Sequence, residues 1–304
     1  MFKNILVYGI GGDFSVDAAA METALSAARF VACGASEEKS VGWVEPRGEE
    51  HGLLVESVAG HLILKFMVET RSIPPSEVDK QAKIRAVEIE AQTGRKPGKK
   101  EMNDVKDQIR LEMMPRAFSK ESHILVWLDP VNRRLVVGAG SPARADDVLS
   151  LLVTCVDGLA VMPIKTKVSA SAAMSHWLVS QEPPSGFSVD RECVLKAADE
   201  SKATIKYGKH PLDIEEVGAH VEGGKLPVQL AMTWDDRVSF VLTENLQIKK
   251  LDFLDSVFEG KSQDAKDGFD ADVAIFTGEM VKLLPDLFDA LGGTDTNMDE
   301  VAAA

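Results

Sequence analysis

The sequence predicts an α+β fold built from more than one part, and three observations lead to this prediction. Short β-like runs and a helix fill the beginning of the chain. Two helical patterns then follow each other directly, at 76–93 and 101–114, which is typical of an αα-hairpin. Strand-like runs gather again after residue 187, so we expect the 304-residue chain to divide near residue 166.

The first element is predicted to be a strand over residues 3–8, followed by Gly9, Gly11 and Gly12. Glycines between a strand and a helix let a backbone approach a pyrophosphate. Here the position for the third glycine is Phe14, and no second βαβ strand ending in an acid follows. A small nucleotide-dependent enzyme is therefore a distant alternative, and a turn is the simpler interpretation.

The helical hairpin is the most distinctive predicted element. Ser76, followed by Asp79, matches a capping box at its start, and Pro115 ends its second helix. The short connection Gly94–Lys100, called the hairpin tip below, holds four basic residues and no acid: Arg95, Lys96, Lys99 and Lys100.

A β-hairpin is predicted next, with strands at 123–128 and 134–139. The turn between them, Asp129-Pro130-Val131-Asn132, is rich in turn-forming residues. Ser141-Pro142 then provides an N-cap and a proline at the first helical position, so a helix is expected to about residue 155.

The composition is that of a folded protein rather than a disordered one, with 45% hydrophobic and 27% charged residues. The chain carries 34 Lys+Arg against 48 Asp+Glu, a formal net charge of -14. Taken alone, this charge argues against non-specific attraction to nucleic acid or to an anionic membrane.

Several classes of site are not indicated. The longest apolar stretch, 148–164, is interrupted by Asp157 and is too short for a membrane span. Cys33, Cys155 and Cys193 are widely separated, which predicts neither disulfides nor a zinc site and fits a reducing cytoplasm. No histidine spacing or nucleophile motif indicates catalysis, so we expect no enzyme activity, metal or cofactor.

Charge is unevenly distributed along the chain. Residues 70–122 hold 12 Lys+Arg and 9 Asp+Glu, a net charge of +3, and the remainder carries 22 and 39, or -17. Because salt screens charges beyond ~8 Å, a phosphate at the hairpin tip would experience mainly the local cations. A solvated basic turn is the plain interpretation, and a sequence-independent phosphate contact is the functional one.

Two further segments are candidates for the same role. Arg116 and Lys120 flank Phe118 just after the hairpin, where an aromatic side chain could contact a ligand or a partner subunit, although a core position is more usual. Lys209 and His210 close a second small basic cluster that begins at Lys206, within an acidic half of the chain.

The sequence also resembles a known family, through landmarks that keep their order and spacing from residue 2 to about 293. The matching residues are Phe2-Lys3-Asn4, Val7-Tyr8, Gly42-Trp43-Val44-Glu45-Pro46, Pro75, Lys80-Gln81, Leu111, Pro115-Arg116-Ala117-Phe118-Ser119, Trp127-Leu128-Asp129, Val131-Asn132, Phe269-Asp270-Ala271-Asp272, Thr277-Gly278-Glu279 and Ala290-Leu291-Gly292-Gly293. Their combination is similar to that of the bacterial RdgC family of recombination-associated proteins.

This resemblance implies a protein that is not an enzyme. It implies double-stranded DNA binding without sequence preference, a ring-shaped homodimer around the duplex, and restraint of RecA-promoted strand exchange in the cytoplasm, in association with the nucleoid. Each subunit would comprise a central α/β domain (1–75 and 116–165), a protruding helical finger (76–115) and a mixed α/β base (166–304).

The resemblance also assigns roles to particular residues. The hairpin tip matches the basic tip of the family's finger, and Phe118 matches the aromatic residue at the dimer contact that closes the ring. Lys209 and His210 match a pair implicated in DNA binding, although the family has glutamine where His210 stands.

Two departures from the family remove positive charge. Gly9 replaces an arginine, and Ala143-Arg144 replaces a lysine pair. We therefore expect weaker and more salt-sensitive DNA binding than in a typical member. An alternative of another class remains: an acidic protein-interaction module that binds RecA or other recombination proteins without contacting DNA.

Overall fold

A computed structural model describes residues 1–11, 14, 17–258 and 268–295. Within these residues the fold combines seven α-helices with two antiparallel sheets, which confirms the predicted α+β class. The helices are α1 (Ala18–Ser26), α2 (Pro75–Thr93), α3 (Lys99–Met113), α4 (Pro142–Cys155), α5 (Ala170–Ser180), α6 (Glu215–Glu222) and α7 (Gly268–Ala290).

The first sheet has seven strands in the order β2-β4-β5-β6-β1-β7, with β3 paired to β4. Its strands are β1 (Leu6–Gly11), β2 (Lys39–Val44), β3 (Glu56–Val58), β4 (His61–Ser72), β5 (Phe118–Asp129), β6 (Arg134–Val137) and β7 (Ala160–Pro163). The two 12-residue strands β4 and β5 pair along their length, from Leu62 opposite Leu128 to Ser72 opposite Phe118.

The second sheet has five antiparallel strands in the order β12-β11-β10-β8-β9. They are β8 (Phe187–Ala197), β9 (Thr204–Gly208), β10 (Lys225–Trp234), β11 (Val238–Thr243) and β12 (Ile248–Phe253). The N-terminal segment joins the two sheets, because Ile5 and Ile248 exchange backbone hydrogen bonds of 2.8 and 3.1 Å.

Both faces of the first sheet are covered, which explains why β4 and β5 are rich in large apolar residues. On one face, α1 and α4 pack over a core that includes Leu64, Phe66 and Val126. On the other face, Ile63 and Trp127 belong to a core shared with α5, α7 and the second sheet.

Helix α7 fills the space between the two sheets. Its Phe276 stacks on Phe2 with ring centroids 4.2 Å apart, and it meets Trp127 and Phe253 edge-on at 5.6 and 6.2 Å. Asp270, in the first turn of α7, binds the guanidinium of Arg47 at 2.6 Å. The helix is thus fixed to residues from both halves of the chain.

The predicted helical hairpin is present, inserted between β4 and β5. The capping box predicted at Ser76 is wrong: α2 begins one residue earlier, with Pro74 as N-cap and no side-chain cap hydrogen bond. Proline at the first helical position needs no acceptor, since it has no N–H to satisfy. A side-chain cap is instead present at α3, where the Glu101 carboxylate accepts a hydrogen bond from the Gly98 N–H.

The predicted β-hairpin is confirmed, and a buried carboxylate organises its turn. Asp129 is fully buried and accepts from the N–H groups of Val131 and Asn132 at 3.2 Å. The side-chain amide of Asn132 also donates to it at 2.7 Å. An aspartate that bonds the backbone two and three residues further on is a common way to fix such a turn.

The glycines near the N-terminus do not form a nucleotide-binding turn in the part of the chain that is described. Gly9 and Gly11 lie within β1, which pairs antiparallel with both β6 and β7. A Cβ added to Gly11 would lie 2.9 Å from Cε of Met162, so close packing accounts for this glycine. Gly12 lies outside the described residues. Dinucleotide sites instead use parallel βαβ units.

Among the described residues, no helix combines the length and apolar character that crossing a bilayer requires. The division of the chain into 1–75 with 116–165, 76–115 and 166–304 stays a prediction.

The position of Phe276 gives a stability prediction. Phe276→Ala should lower the free energy of unfolding by about 3–5 kcal/mol, because it removes a buried ring that contacts three other aromatic side chains. Val131→Ala is the control, since Val131 is 85% exposed and its truncation should change the value by less than about 0.5 kcal/mol. Urea denaturation at one fixed protein concentration measures both. Equal effects of the two substitutions would contradict this account of the core.

Candidate nucleic-acid interface

The helical hairpin is held together by a small apolar contact and by ion pairs. Val78 and Ala82 of α2 pack against Ile109 of α3 and are buried. Lys106 bridges to Asp79 across the two helices at 2.7 Å, and this contact lowers the pKa of the Asp79 carboxyl. Such exposed pairs contribute little individually, so the buried apolar contact contributes more to the stability of the hairpin.

Backbone geometry at both helix ends shapes the hairpin tip. Gly94 ends α2 in the left-handed conformation (φ 72°), and its N–H donates to the carbonyl oxygen of Glu90 at 2.9 Å. Glycine takes this conformation without the strain of a side chain. Gly98 precedes α3 and donates its N–H to the Glu101 carboxylate at 2.8 Å. Residues 95–97 therefore form a tight link.

Glu101 also neutralises one of the predicted site residues. Its carboxylate accepts two hydrogen bonds from the Arg95 guanidinium, at 2.8 and 2.7 Å. The hydrogen bonds from Arg95 and, to a smaller extent, the one from the Gly98 N–H lower the pKa of the Glu101 carboxyl to about 2. The sequence predicts that this helix begins near residue 101, and it therefore assigns no role to Glu101. In the structure α3 begins at Lys99, which places Glu101 in its first turn. Glu101 thereby falls where it can reach both groups.

The remaining tip cations have no such partner. Lys96, Lys99 and Lys100 are exposed, and within the described residues none has a carboxylate oxygen within 4.0 Å. By the same criterion the unpaired cations of residues 70–122 also include Lys83, Arg116 and Lys120. Sequence reasoning missed Lys83, an exposed residue of α2, because nothing in its local pattern distinguishes it from ion-paired neighbours.

Phe118 lies where β5 begins, at the root of the hairpin, and its side chain is 90% exposed. It is flanked in the chain by the exposed residues Arg116 and Lys120. Next to it runs a groove of about 480 Å³ whose lining includes the apolar residues Ile73, Pro74, Met113 and Ala117. A phenylalanine left in water beside an apolar groove is typical of a surface that contacts another molecule.

Lys209 and His210 lie on the second sheet, just beyond β9. Both are exposed, and Lys209 adopts a left-handed backbone conformation (φ 56°). The N–H of His210 donates to the carbonyl oxygen of Arg191 at 3.1 Å, which ties this corner to β8. The pair therefore belongs to a different sheet from the one that carries the hairpin.

The predicted site residues share exposure to solvent but lie on two separate parts of the fold, the helical hairpin with its root and the corner after β9. The site consists of exposed lysine and arginine side chains, which attract anions, and one exposed aromatic ring. In the part of the chain that is described, no group of three or more His, Cys, Asp and Glu side chains is arranged to hold a metal ion. The structure thus defines a mixed α+β protein with exposed, unpaired cations on its helical hairpin.

Comparisons with known proteins agree over nearly the whole chain. The sequence model of the RdgC family, described as "Putative exonuclease, RdgC", matches residues 1–294. The recombination-associated protein RdgC of Dechloromonas aromatica is 43% identical over 298 residues, covering 96% of this chain and 97% of that protein. Those of Herminiimonas arsenicoxydans and Bordetella pertussis are 42% and 41% identical, each covering 96% of this chain and 98% of the relative.

The chain therefore belongs to the RdgC family, as the resemblance predicted. The family description names an exonuclease, whereas the relatives are named for their association with recombination.

The Arg95–Glu101 pair gives a prediction for the hairpin tip. Because the pKa of Glu101 is about 2 in the folded protein, the pair is intact at pH 7 and is lost only as the pH falls towards that value. Glu101→Gln keeps an oxygen acceptor for Gly98 but releases the Arg95 charge. If the tip contacts DNA, the slope of log K against log salt should become steeper by about 0.9, the value of one added phosphate contact.

The matched control is Asp104→Asn, which makes the same charge change at an exposed residue of α3. Fluorescence anisotropy with a random duplex, measured from low to moderate salt, provides both slopes. If Glu101→Gln and Asp104→Asn have the same effect, the specific release of Arg95 is excluded.

Proposed function

We propose that this protein binds double-stranded DNA without sequence preference, as a ring-shaped homodimer, and thereby restrains RecA-promoted strand exchange. The observation that carries the proposal is the set of unpaired, exposed cations on the hairpin and at its root, in a chain whose net charge is -14. Membership of the RdgC family supports a role in recombination.

The chemistry of the cations explains why binding would be independent of sequence. Lys96, Lys99 and Lys100 are compact charges on flexible stems, which suit phosphate oxygens rather than the fixed pattern of base edges. An acidic remainder of the surface would repel DNA. Contact is therefore confined to the cationic regions, and a ring that encloses the duplex makes modest attraction sufficient.

Phe118 is the proposed dimer contact that closes the ring. Its exposed ring and the adjacent apolar groove have matching chemistry, so two copies related by a two-fold axis can each offer a ring to the other's groove. Burying a phenylalanine side chain stabilises by about 1.5–3 kcal/mol. A contact of this size can close a ring and still open to admit DNA.

We further propose that the protein acts by occupying the duplex and not by cleaving it. The DNA then stays intact while the protein blocks access to it, and association with the nucleoid follows from DNA binding itself. RecA-promoted strand exchange needs an accessible duplex, so inhibition should weaken in step with any loss of DNA affinity.

The test of DNA contact uses Lys96, Lys99 and Lys100 replaced together by Gln. A gel shift with random-sequence duplex should show salt-sensitive binding by the native protein, and the labelled duplex should keep its full length when Mg²⁺ is present. The triple variant should flatten the slope of log K against log salt by up to about 2.7, because three phosphate contacts are lost.

A control variant carries the same charge change on another part of the surface, with Gln at the exposed residues Lys165, Lys167 and Lys282. Its slope should change by less than about 1. No binding at either low or high salt would reject the DNA-binding function and favour the protein-interaction alternative. Progressive shortening of the duplex would show instead that the protein is a nuclease.

Phe118 is tested separately. Phe118→Ala should weaken dimer closure, because it removes the exposed ring while leaving the core untouched. Analytical ultracentrifugation over a dilution series, together with DNA affinity, provides the readout, and Val131→Ala is the control for an exposed apolar residue elsewhere. If Phe118→Ala leaves both dimer stability and DNA affinity unchanged, Phe118 is not the closing contact.

A further inference from the structure

The two helices of the hairpin leave a groove along one side of their contact. Two adjoining hollows of about 410 and 190 Å³ form this groove, and Arg85, Glu88 and Ile109 line both of them. It runs from Gln81 to Gln92 along α2, a length of roughly 16 Å or three helical turns. Further apolar side chains from both helices line it: Ile84, Ile89, Val105 and Met113.

The helical period divides the surface of the hairpin into two flanks. Ala82 of α2 is buried against α3. A step of three residues falls about 60° short of a full helical turn, so the residues three before and three after Ala82 lie on opposite sides of the contact. These residues are Asp79 and Arg85. Arg85 lines the groove, and Asp79 belongs to the other flank.

Helix α3 follows the same rule around Ile109. Lys106 precedes Ile109 by three residues and binds Asp79 at 2.7 Å, on the flank away from the groove. Glu112 follows Ile109 by three residues and binds Arg85 at 3.4 Å, on the groove flank. The two cross-helix ion pairs therefore mark opposite flanks of the hairpin.

The two flanks differ in the sign of their charge. Together with Lys106, the charges of Lys83 and Arg110 lower the pKa of the Asp79 carboxyl, so three cations lie near this one acid. The groove is an acidic strip within a segment whose net charge is +3. It is lined by one cation and three acids, a net charge of -2: Arg85, Glu88, Asp104 and Glu112.

The groove leaves apolar surface and negative charge without partners. Ile84 is 50% exposed on its wall, although Ala82 and Ile109 already take part in the buried contact between the helices. Asp104 is exposed and has no ion-pair partner within 4.0 Å in the part of the chain that is described. In helical bundles, a further helix covers such a groove with its apolar side.

We propose that this groove is a docking site for an amphipathic helix of a partner protein, whose apolar stripe is flanked on both sides by Lys and Arg. Acids stand on both walls, with Glu88 on α2 and Asp104 and Glu112 on α3, and they favour a basic partner. A groove of three turns fits apolar anchors at i, i+4 and i+7. Its negative charge disfavours phosphate, so the site is separate from the proposed DNA contact and does not rest on it.

The test uses the full chain and a fluorescein-labelled synthetic helix of about four turns, with leucine along one stripe and lysine on both sides. A peptide of the same composition with the stripe scrambled is the reference probe. In fluorescence anisotropy, the native protein should bind the amphipathic peptide more tightly than the scrambled one. The combined variant Ile84→Ser, Glu88→Gln and Asp104→Asn should weaken this binding roughly tenfold, because it removes an apolar anchor and two acids.

The matched control is Val87→Ser, Glu90→Gln and Asp107→Asn, which makes the same chemical changes on the same helices outside the groove lining. Its affinity should stay within about twofold of the native value. A second groove variant, Gln92→Lys with Gln108→Lys, keeps the apolar contact of the hairpin and adds positive charge to the groove, so it should also weaken binding. It carries the test if a thermal melt shows the first variant to be unfolded.

The outcomes separate a docking site from general attraction to an acidic protein. Weaker binding by both groove variants but not by the control supports the proposal. Equal affinity for the amphipathic and scrambled peptides, or equal effects of the groove and control variants, overturns it. Sedimentation without peptide tests the other occupant. If the groove variants dissociate the protein's own oligomer and the control does not, the groove holds a second copy of this chain, and the partner helix is wrong.

Discussion

The pairing of β4 with β5 is the constraint on which the rest of the structure depends. These two strands carry apolar residues on both faces, so one pairing register positions two separate cores at once. A shift by one residue would exchange the faces and disrupt both cores. The same strands end at Ser72 and Phe118, and the helical hairpin is inserted between these ends. The register of a buried ladder thus determines where the exposed hairpin and Phe118 lie.

The net charge of the protein has to be interpreted together with the positions of its charged side chains. Many cations of the hairpin are matched by an acid, as Lys106 is by Asp79 and Arg95 by Glu101, and these pairs hold local geometry. The unmatched ones are the cations that we propose contact DNA. A sum over the sequence cannot separate the two groups, because pairing depends on which side chains the helices bring within reach. The net charge of -14 therefore describes the surface as a whole and not the cationic regions.

Local signals were sufficient to predict some elements and insufficient for others. The helical hairpin and the turn at Asp129 could be predicted because proline, glycine and aspartate act on their immediate neighbours. The cap at Ser76 was wrongly predicted, and the role of Glu101 was missed, because each depends on where a helix begins to within two residues. The exposure of Phe118 and the joining of the two sheets at Ile5 are set by residues distant in sequence. No local pattern encodes such contacts.

The union of the N-terminal segment with β12 has a consequence for how the chain folds. Ile5 finds its backbone partner, Ile248, only after most of the polypeptide has been made, and α7, which fills the space between the sheets, comes later still. Until β12 and α7 have been made, one apolar face of the early strands therefore stays exposed to solvent. Contacts between residues so far apart slow folding and lengthen the exposure of apolar surface. This chain should depend on being released whole from the ribosome, since no early portion can complete the shared core by itself.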